Sequence, residues 1–67
     1  MEKITLKAAR VNANMRQEDV AKRLGISTRT LANWEKGRTC PRVHDLESLC
    51  AIYGVQMSAI ILPIQFS

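Results

Sequence analysis

The segment spanning residues 17–37, QEDVAKRLGISTRTLANWEKG, restricts the possible folds more than any other part of the chain. Its apolar residues recur at helical spacing in two separate runs. They are Val20, Ala21 and Leu24 in the first run, and Leu31 and Trp34 in the second. A glycine follows each run, at Gly25 and Gly37, and glycine ends a helix in the left-handed conformation at little steric cost. The segment therefore predicts two short helices joined by a tight turn, with Ser27 or Thr28 capping the second.

The outward face of the second predicted helix carries polar and basic side chains and no carboxylate. These are Thr28, Arg29, Thr30, Asn33 and Lys36. Arginine can bind guanine O6 and N7, and asparagine can bind adenine N6 and N7, so a helix of this kind is typical of a major-groove reader. We predict that Thr28, Arg29, Thr30 and Asn33 contact bases, although one threonine could serve as a cap instead. The alternatives are a solvated charge for Arg29 and a phosphate contact for Asn33.

The same segment resembles a known family. The pattern Q-x-x-x-A-x-x-x-G-[IV]-x(4)-[IL]-x-x-[WFL]-E-x-G is matched by Gln17, Ala21, Gly25, Ile26, Leu31, Trp34, Glu35 and Gly37. Downstream, the family pattern P-x(4)-L-x-x-L-x-x-x-L-G-V is followed by Pro41, Leu46, Leu49, Tyr53, Gly54 and Val55. Together these positions are similar to the Cro/C1-type (XRE-like) helix-turn-helix family of phage repressors and bacterial transcriptional regulators, over roughly residues 4–62. Arg16 departs from the family's preference for Ser, Thr or Asn, which leaves the side-chain cap of the first motif helix open.

Three further helices are predicted outside the motif. Thr5 can cap the first, over about residues 5–14. Another begins at about Val43, after Pro41, and ends at Gly54, and a short last helix covers about residues 57–61. We therefore expect one all-α domain over residues 1–67, with the compact five-helix architecture of lambda-repressor-like DNA-binding domains that the resemblance implies.

Arg10 is unusual because it falls on the apolar face of the first predicted helix, together with Leu6, Ala9 and Ala13. A half-buried guanidinium needs a carboxylate partner, and Glu35 is the one acid in the second half of the motif. We predict a structural ion pair between Arg10 and Glu35, which the resemblance also implies. The alternative is a solvated arginine.

The net charge of +4 is concentrated in the middle of the chain, since residues 16–42 hold seven of the ten Lys and Arg residues and three of the six acids. An excess of this size is common and by itself fits an ordinary basic surface equally well, so the motif is what favours a polyanion partner. We predict phosphate contacts from Arg16, Gln17, Lys36, Arg38 and Arg42. For Gln17 the alternative is a helix-starting residue without that role.

The sequence contains no pattern typical of catalysis or metal binding. Cys40 and Cys50 have no histidine at metal-ligand spacing, and His44 has no partner set by sequence. We expect two free thiols, no enzyme, no cofactor, no metal and no evident small-molecule ligand. The start MEKITLKAAR lacks the apolar run of a signal peptide, and ILPI is too short to span a bilayer. These features lead us to expect a cytoplasmic protein without membrane contact.

The end of the chain is rich in apolar residues, and the expected small core cannot bury all of them. Ile64 and Phe66, in the tail 62–67, are the predicted contact between two copies of the chain on DNA. The alternative is that the tail folds back over its own core. The tail also leads us to expect a natural chain end, although a fragment of a larger regulator has the same features.

Together these features predict a sequence-specific regulator that binds an operator in duplex DNA as a homodimer, most plainly a repressor of phage or prophage type. Two other classes stay open at this point. An antitoxin or a restriction-modification controller would bind DNA in the same way. A protein-interaction module could use the fold without DNA, but the basic character of the second motif helix argues against it.

Overall fold

The computed structural model describes residues 3–62. It contains four α-helices, one 3₁₀ turn and two very short strands. In chain order these are β1 (Ile4–Thr5), α1 (Leu6–Asn12), α2 (Gln17–Leu24), α3 (Thr28–Lys36), α4 (Val43–Tyr53), the 3₁₀ turn (Met57–Ala59) and β2 (Ile60–Ile61). The prediction of a small helical helix-turn-helix fold is confirmed, with α2 and α3 as the two motif helices.

The predicted fifth helix over residues 57–61 is wrong in type. Residues Met57–Ala59 form a single 3₁₀ turn, and the chain then becomes extended. Ile60 and Ile61 pair in parallel with Ile4 and Thr5. Isoleucine is β-branched and favours extended backbone when a neighbouring strand and a core are available. Because that neighbouring strand comes from the opposite end of the chain, local periodicity could not reveal it.

The helix starts agree with the capping chemistry of their first residues. The Oγ1 atom of Thr5 accepts a hydrogen bond from the Ala8 N–H at 3.1 Å, so α1 begins at Leu6. Ser27, rather than Thr28, caps α3, since its Oγ atom accepts from the Thr30 N–H at 3.0 Å. The α1 helix ends at Asn12, two residues before the predicted end at 14, and Asn14 adopts a left-handed φ of 57°.

Arg16 precedes α2 without providing a side-chain acceptor, because a guanidinium carries only donors. Instead, the side chain of Asp19 bonds to the backbone of Arg16: its Oδ2 atom accepts a hydrogen bond from the Arg16 N–H at 3.2 Å. This contact is half of a capping box, and it holds the start of α2 in place of the Ser, Thr or Asn cap found in the family pattern.

The turn between α2 and α3 requires glycine at its first position. Gly25 has φ +71°, and a Cβ atom added there would meet no neighbouring atom within 4 Å. The requirement is therefore conformational rather than steric crowding by the surroundings. Gly37 ends α3 in the same left-handed conformation, with φ 80°.

Each of the four helices contributes to one core. Its largest fully buried side chains are Leu6 from α1, Val20 from α2, Leu31 from α3 and Leu49 from α4. Trp34, Cys50, Tyr53 and Ile60 complete the cluster together with Ala9. The α3 helix thus packs its Leu31 and Trp34 face inward, which turns the opposite face of the helix to the surface.

Candidate nucleic-acid interface

The exposed side of α3 presents the side chains that the sequence assigned to DNA. Residues four apart lie on one face of a helix, so Arg29 and Asn33 form one row. Thr28, Ala32 and Lys36 form the adjacent row by the same spacing. Thr28, Arg29 and Lys36 are exposed, while Asn33 is partly buried. This side of α3 carries two cations and an amide, and no carboxylate is among these residues.

Thr30 differs from the other predicted base contacts. It is partly buried, and its Oγ1 atom lies 2.9 Å from the Oγ atom of Ser27, within hydrogen-bond distance. The spacing of four places Thr30 in line with the buried Trp34 rather than with Arg29. Its hydroxyl is therefore engaged at the start of α3, and sequence alone could not decide which of the neighbouring hydroxyls takes this role.

Arg10 and Glu35 form a buried bidentate ion pair. The Nε atom of Arg10 donates to Oε2 of Glu35 at 2.7 Å, and Nη2 donates to Oε1 at 3.2 Å. Their side chains are only 11% and 3% exposed. The Nη1 atom of Arg10 also donates to the backbone oxygen of Met15 at 3.0 Å. The hydrogen bond with Glu35 raises the pKa of Arg10, against the lowering effect of burial, so the guanidinium stays charged in the core.

Gln17 joins this pair, which its assignment as a phosphate contact did not anticipate. Its Nε2 atom donates to Oε1 of Glu35 at 2.9 Å. An amide nitrogen carries two hydrogens, so one N–H is used here and the second is left for another acceptor. The network of Arg10, Gln17, Glu35 and the Met15 carbonyl connects α1, the start of α2 and the end of α3.

Four of the five predicted phosphate contacts are cations that lie before, at the end of, or after the two motif helices. Arg16 precedes α2, Lys36 lies in the last turn of α3, and Arg38 and Arg42 lie in the connection to α4; all four are exposed. Arg16 is paired with Glu18, with 3.5 Å between Nη1 and Oε1. An open groove between the starts of α2 and α3 is lined by Arg10, Met15, Arg16, Gln17, Glu18 and Thr28. Arg16 and Gln17, two of the predicted phosphate contacts, thus line one groove together with Thr28, a predicted base contact.

Tyr53, which the sequence indicates only as a position of the family pattern, places a hydroxyl in the core. The side chain is buried, and its oxygen has no hydrogen-bond partner within residues 3–62. Burial, followed by the negative charge of Glu35, raises the pKa of Tyr53 to about 12. Since Arg10 acts in the opposite direction, the hydroxyl lies within the electrostatic influence of the ion pair. The phenol therefore stays protonated at neutral pH.

The two cysteines are both free thiols. Cys40 is exposed and Cys50 is buried, and burial raises the pKa of the Cys50 thiol. Between residues 3 and 62 no three His, Cys, Asp or Glu side chains come together in a way that could hold a metal ion. In the same part of the chain, no helix is long and apolar enough to cross a membrane.

The predicted dimer contacts Ile64 and Phe66 lie outside the described residues. Two nearby apolar side chains within the described part are exposed at the surface. They are Met57 in the 3₁₀ turn, which is 37% exposed, and Ile61 in β2, which is 44% exposed.

Comparison with known proteins agrees with this geometry. Residues 6–60 match the family model described as Helix-turn-helix (HTH_3). The chain is 33% identical over 52 residues to the cryptic phage CTXphi transcriptional repressor RstR of Vibrio cholerae, covering 78% of this chain and 47% of the repressor. It is 35% identical over 57 residues to the uncharacterized HTH-type transcriptional regulator MJ0272 of Methanocaldococcus jannaschii, covering 85% and 86% of the two chains. No solved structure matches at a comparable level of significance.

The fold and the match together define the class, that of helix-turn-helix DNA-binding regulators. The chain belongs to the Helix-turn-helix family, which its match over residues 6–60 establishes. It spans about half the length of the Vibrio repressor and most of the length of the Methanocaldococcus regulator.

The buried ion pair leads to a prediction about stability. Replacing either Arg10 or Glu35 by alanine should lower the free energy of unfolding by about 3–5 kcal/mol, because the surviving charge is left buried without its partner. The double variant should lose less than the sum of the two single losses. Urea unfolding of all four proteins measures this coupling. Additive losses would show that the two side chains stabilise the fold independently.

Tyr53 leads to a second prediction. Tyr53→Phe removes a buried hydroxyl without a described partner, so the variant should be as stable as the parent at pH 7 or more stable by about 1 kcal/mol. The folded pKa of about 12 exceeds the ordinary value of about 10. Because the folded state holds the phenol proton more tightly, the titration of Tyr53 leaves stability unchanged below about pH 10 and lowers it as pH rises through about 12.

The measurement for Tyr53 is urea unfolding of parent and variant at neutral pH and at several values between about 10 and 12. The parent should lose more stability over this range than Tyr53→Phe does. The two proteins differ only in the Tyr53 hydroxyl, so the difference between them isolates the phenol. A large loss on mutation at pH 7 would instead reveal a hydrogen bond from Tyr53.

Proposed function

We propose that the protein is a sequence-specific transcriptional repressor that acts by occupying an operator in duplex DNA. One observation carries the proposal: α3 buries Leu31 and Trp34 and presents Arg29 and Asn33 outward on a helix anchored by the Arg10–Glu35 ion pair. Because that anchoring limits the motion of α3, its side chains are preorganised for a defined groove. Occupancy alone suffices for repression, since a bound protein excludes other proteins from the same DNA.

The named relatives support a regulatory role of this kind. The Vibrio protein carries the name of a transcriptional repressor of a cryptic phage, and this chain matches it across one compact segment. The phage or prophage type of circuit is our proposal for this chain and rests on that likeness. A cytoplasmic location goes with the proposal, because a repressor must meet the DNA of the cell.

The proposed base readout is divided among four residues. Arg29 is suited to a bidentate contact with guanine O6 and N7, and Asn33 to adenine N6 and N7. Thr28, exposed at the start of α3, offers a hydroxyl and a methyl group to the groove. Thr30 contributes less, since its hydroxyl already meets Ser27, and its methyl group is left for a thymine methyl.

Affinity is proposed to come from the surrounding cations. Arg16, Lys36, Arg38 and Arg42 are exposed around α3 and can neutralise phosphates, which releases counterions and makes binding depend on salt. Gln17 can add its second amide N–H, while the first holds Glu35. A phosphate bound to this second N–H would then contact the same amide group that holds Glu35, and so would join the network that orients α3.

We further propose that two copies bind one operator. One reading helix gives limited discrimination, whereas two copies related by a two-fold axis place their helices about 34 Å apart in successive major grooves. Among the described residues, Met57 and Ile61 are the large exposed apolar side chains closest in sequence to the tail. The contacts themselves are assigned to Ile64 and Phe66, as the apolar residues least suited to the small core.

The base contacts are tested by alanine substitution. Arg29→Ala and Asn33→Ala should each weaken binding to the operator by about 1–3 kcal/mol, while binding to a scrambled duplex changes little. The operator is the duplex enriched from a random pool, and fluorescence titration measures both affinities. Arg23→Ala is the matched control, because Arg23 is exposed on α2, outside the proposed readout. Equal losses on both duplexes would make Arg29 and Asn33 phosphate contacts.

The phosphate contacts are tested by salt dependence. Arg38→Ala or Arg42→Ala should weaken binding to every duplex alike and reduce the slope of log K against log salt by about one unit per lost contact. The reason is that each lost contact leaves one phosphate with its counterions. Titrations over a series of salt concentrations measure the slope, and an unchanged slope would remove the residue from the interface.

A further inference from the structure

Glu18 is an acidic side chain on the surface that we assign to DNA. It is the second residue of α2, and its Oε1 atom lies 3.5 Å from Nη1 of Arg16. Both side chains are well exposed, at 66% for Glu18 and 81% for Arg16. They line the same groove as Gln17 and Thr28, between the starts of α2 and α3. A carboxylate in this place is unexpected, because DNA phosphates must approach the same groove.

The two acids at the start of α2 have different surroundings. The Asp19 carboxylate accepts a hydrogen bond from the Arg16 N–H and so holds the start of the helix. Glu18 instead faces the Arg16 guanidinium, the group proposed to contact phosphate. An ion pair this exposed is weak and easily exchanged for another anion. A phosphate can therefore displace Glu18 from Arg16, but only at the expense of the existing pair.

We propose that Glu18 limits the affinity for DNA by competing with phosphate for Arg16. In the free protein Glu18 neutralises the Arg16 edge of the interface, and on binding Arg16 changes its partner from Glu18 to a DNA phosphate. This inference rests on the proposed function. Because phosphate contacts carry no sequence information, the competition lowers affinity for all duplexes and leaves discrimination to α3.

The consequence for a repressor is weaker retention on unrelated DNA. Non-specific binding comes almost entirely from phosphate contacts, whereas operator binding adds base contacts. Reducing the phosphate contribution therefore shortens the time spent on unrelated sequence while the difference between operator and other DNA is preserved. Glu18 sets the overall strength of binding, and Arg29 and Asn33 set its selectivity.

The test is a double-mutant cycle on DNA binding. Glu18→Gln keeps the shape of the side chain and should raise affinity for operator and scrambled duplex alike, by about two- to fivefold at about 0.1 M salt. In an Arg16→Ala background the same substitution should have little effect. Glu47→Gln is the matched control, since Glu47 is exposed on α4 and does not line the groove. Thermal unfolding of each variant verifies that the fold is retained.

Three results would contradict this account of Glu18. An equal gain in the parent and Arg16→Ala backgrounds would mean that Glu18 repels phosphate directly, without holding Arg16. No gain at all would place Glu18 outside the interface. If the unmodified protein binds no duplex, the proposed function fails together with this inference, and that failure is seen before any variant is compared.

Discussion

The buried Arg10–Glu35 ion pair is the contact on which the arrangement of this small protein depends. Two charges are taken out of water at the junction of α1, α2 and α3, and each is compensated by the other at 2.7 Å. The Met15 carbonyl accepts a further hydrogen bond from Arg10, and the Gln17 amide donates one to Glu35. Loss of either charge leaves the other uncompensated in a core built from few large side chains. The stability of the folded state therefore depends on both charges being present.

The same pair determines the electrostatic character of α3. Glu35 is the one carboxylate in that helix, and it is turned inward against Arg10 with 3% of its side chain exposed. The outward side is left with Arg29, Asn33 and Lys36, which suit an anionic partner. A helix with one acid and two cations in its sequence thus exposes only the cations at the surface. Glu18, on the neighbouring helix, is an acid that lines the same groove as Thr28.

The sequence predicted the motif helices well, because their signals are local. Apolar spacing and the glycines at positions 25 and 37 define α2 and α3, and Thr5 was identified as a cap from its side chain alone. The partner of Arg10 could be inferred because a charge on an apolar face requires compensation, and Glu35 was the one acid available in that part of the motif.

The features that sequence analysis missed all depend on contacts between distant or competing groups. The β1–β2 pairing joins opposite ends of the described chain, so the local pattern of residues 57–61 predicts a helix where the structure has a 3₁₀ turn and a strand. The hydroxyls of Ser27 and Thr30 share a hydrogen bond. Whether Ser27 or Thr28 caps α3 depends on the backbone geometry at the start of the helix. The contact between Gln17 and Glu35 spans two helices and has no periodic signal. Ile64 and Phe66 lie beyond the described residues and stay a prediction.

The most direct test of the account is selection of bound duplexes from a random pool by the unmodified protein. We expect enrichment of one sequence arranged as two inverted half-sites, with centres about 10–10.5 base pairs apart, since two reading helices must enter successive major grooves. Binding without enrichment of any sequence would contradict base readout by α3. Enrichment of a single half-site would retain the readout but contradict the proposed pairing of two copies on DNA.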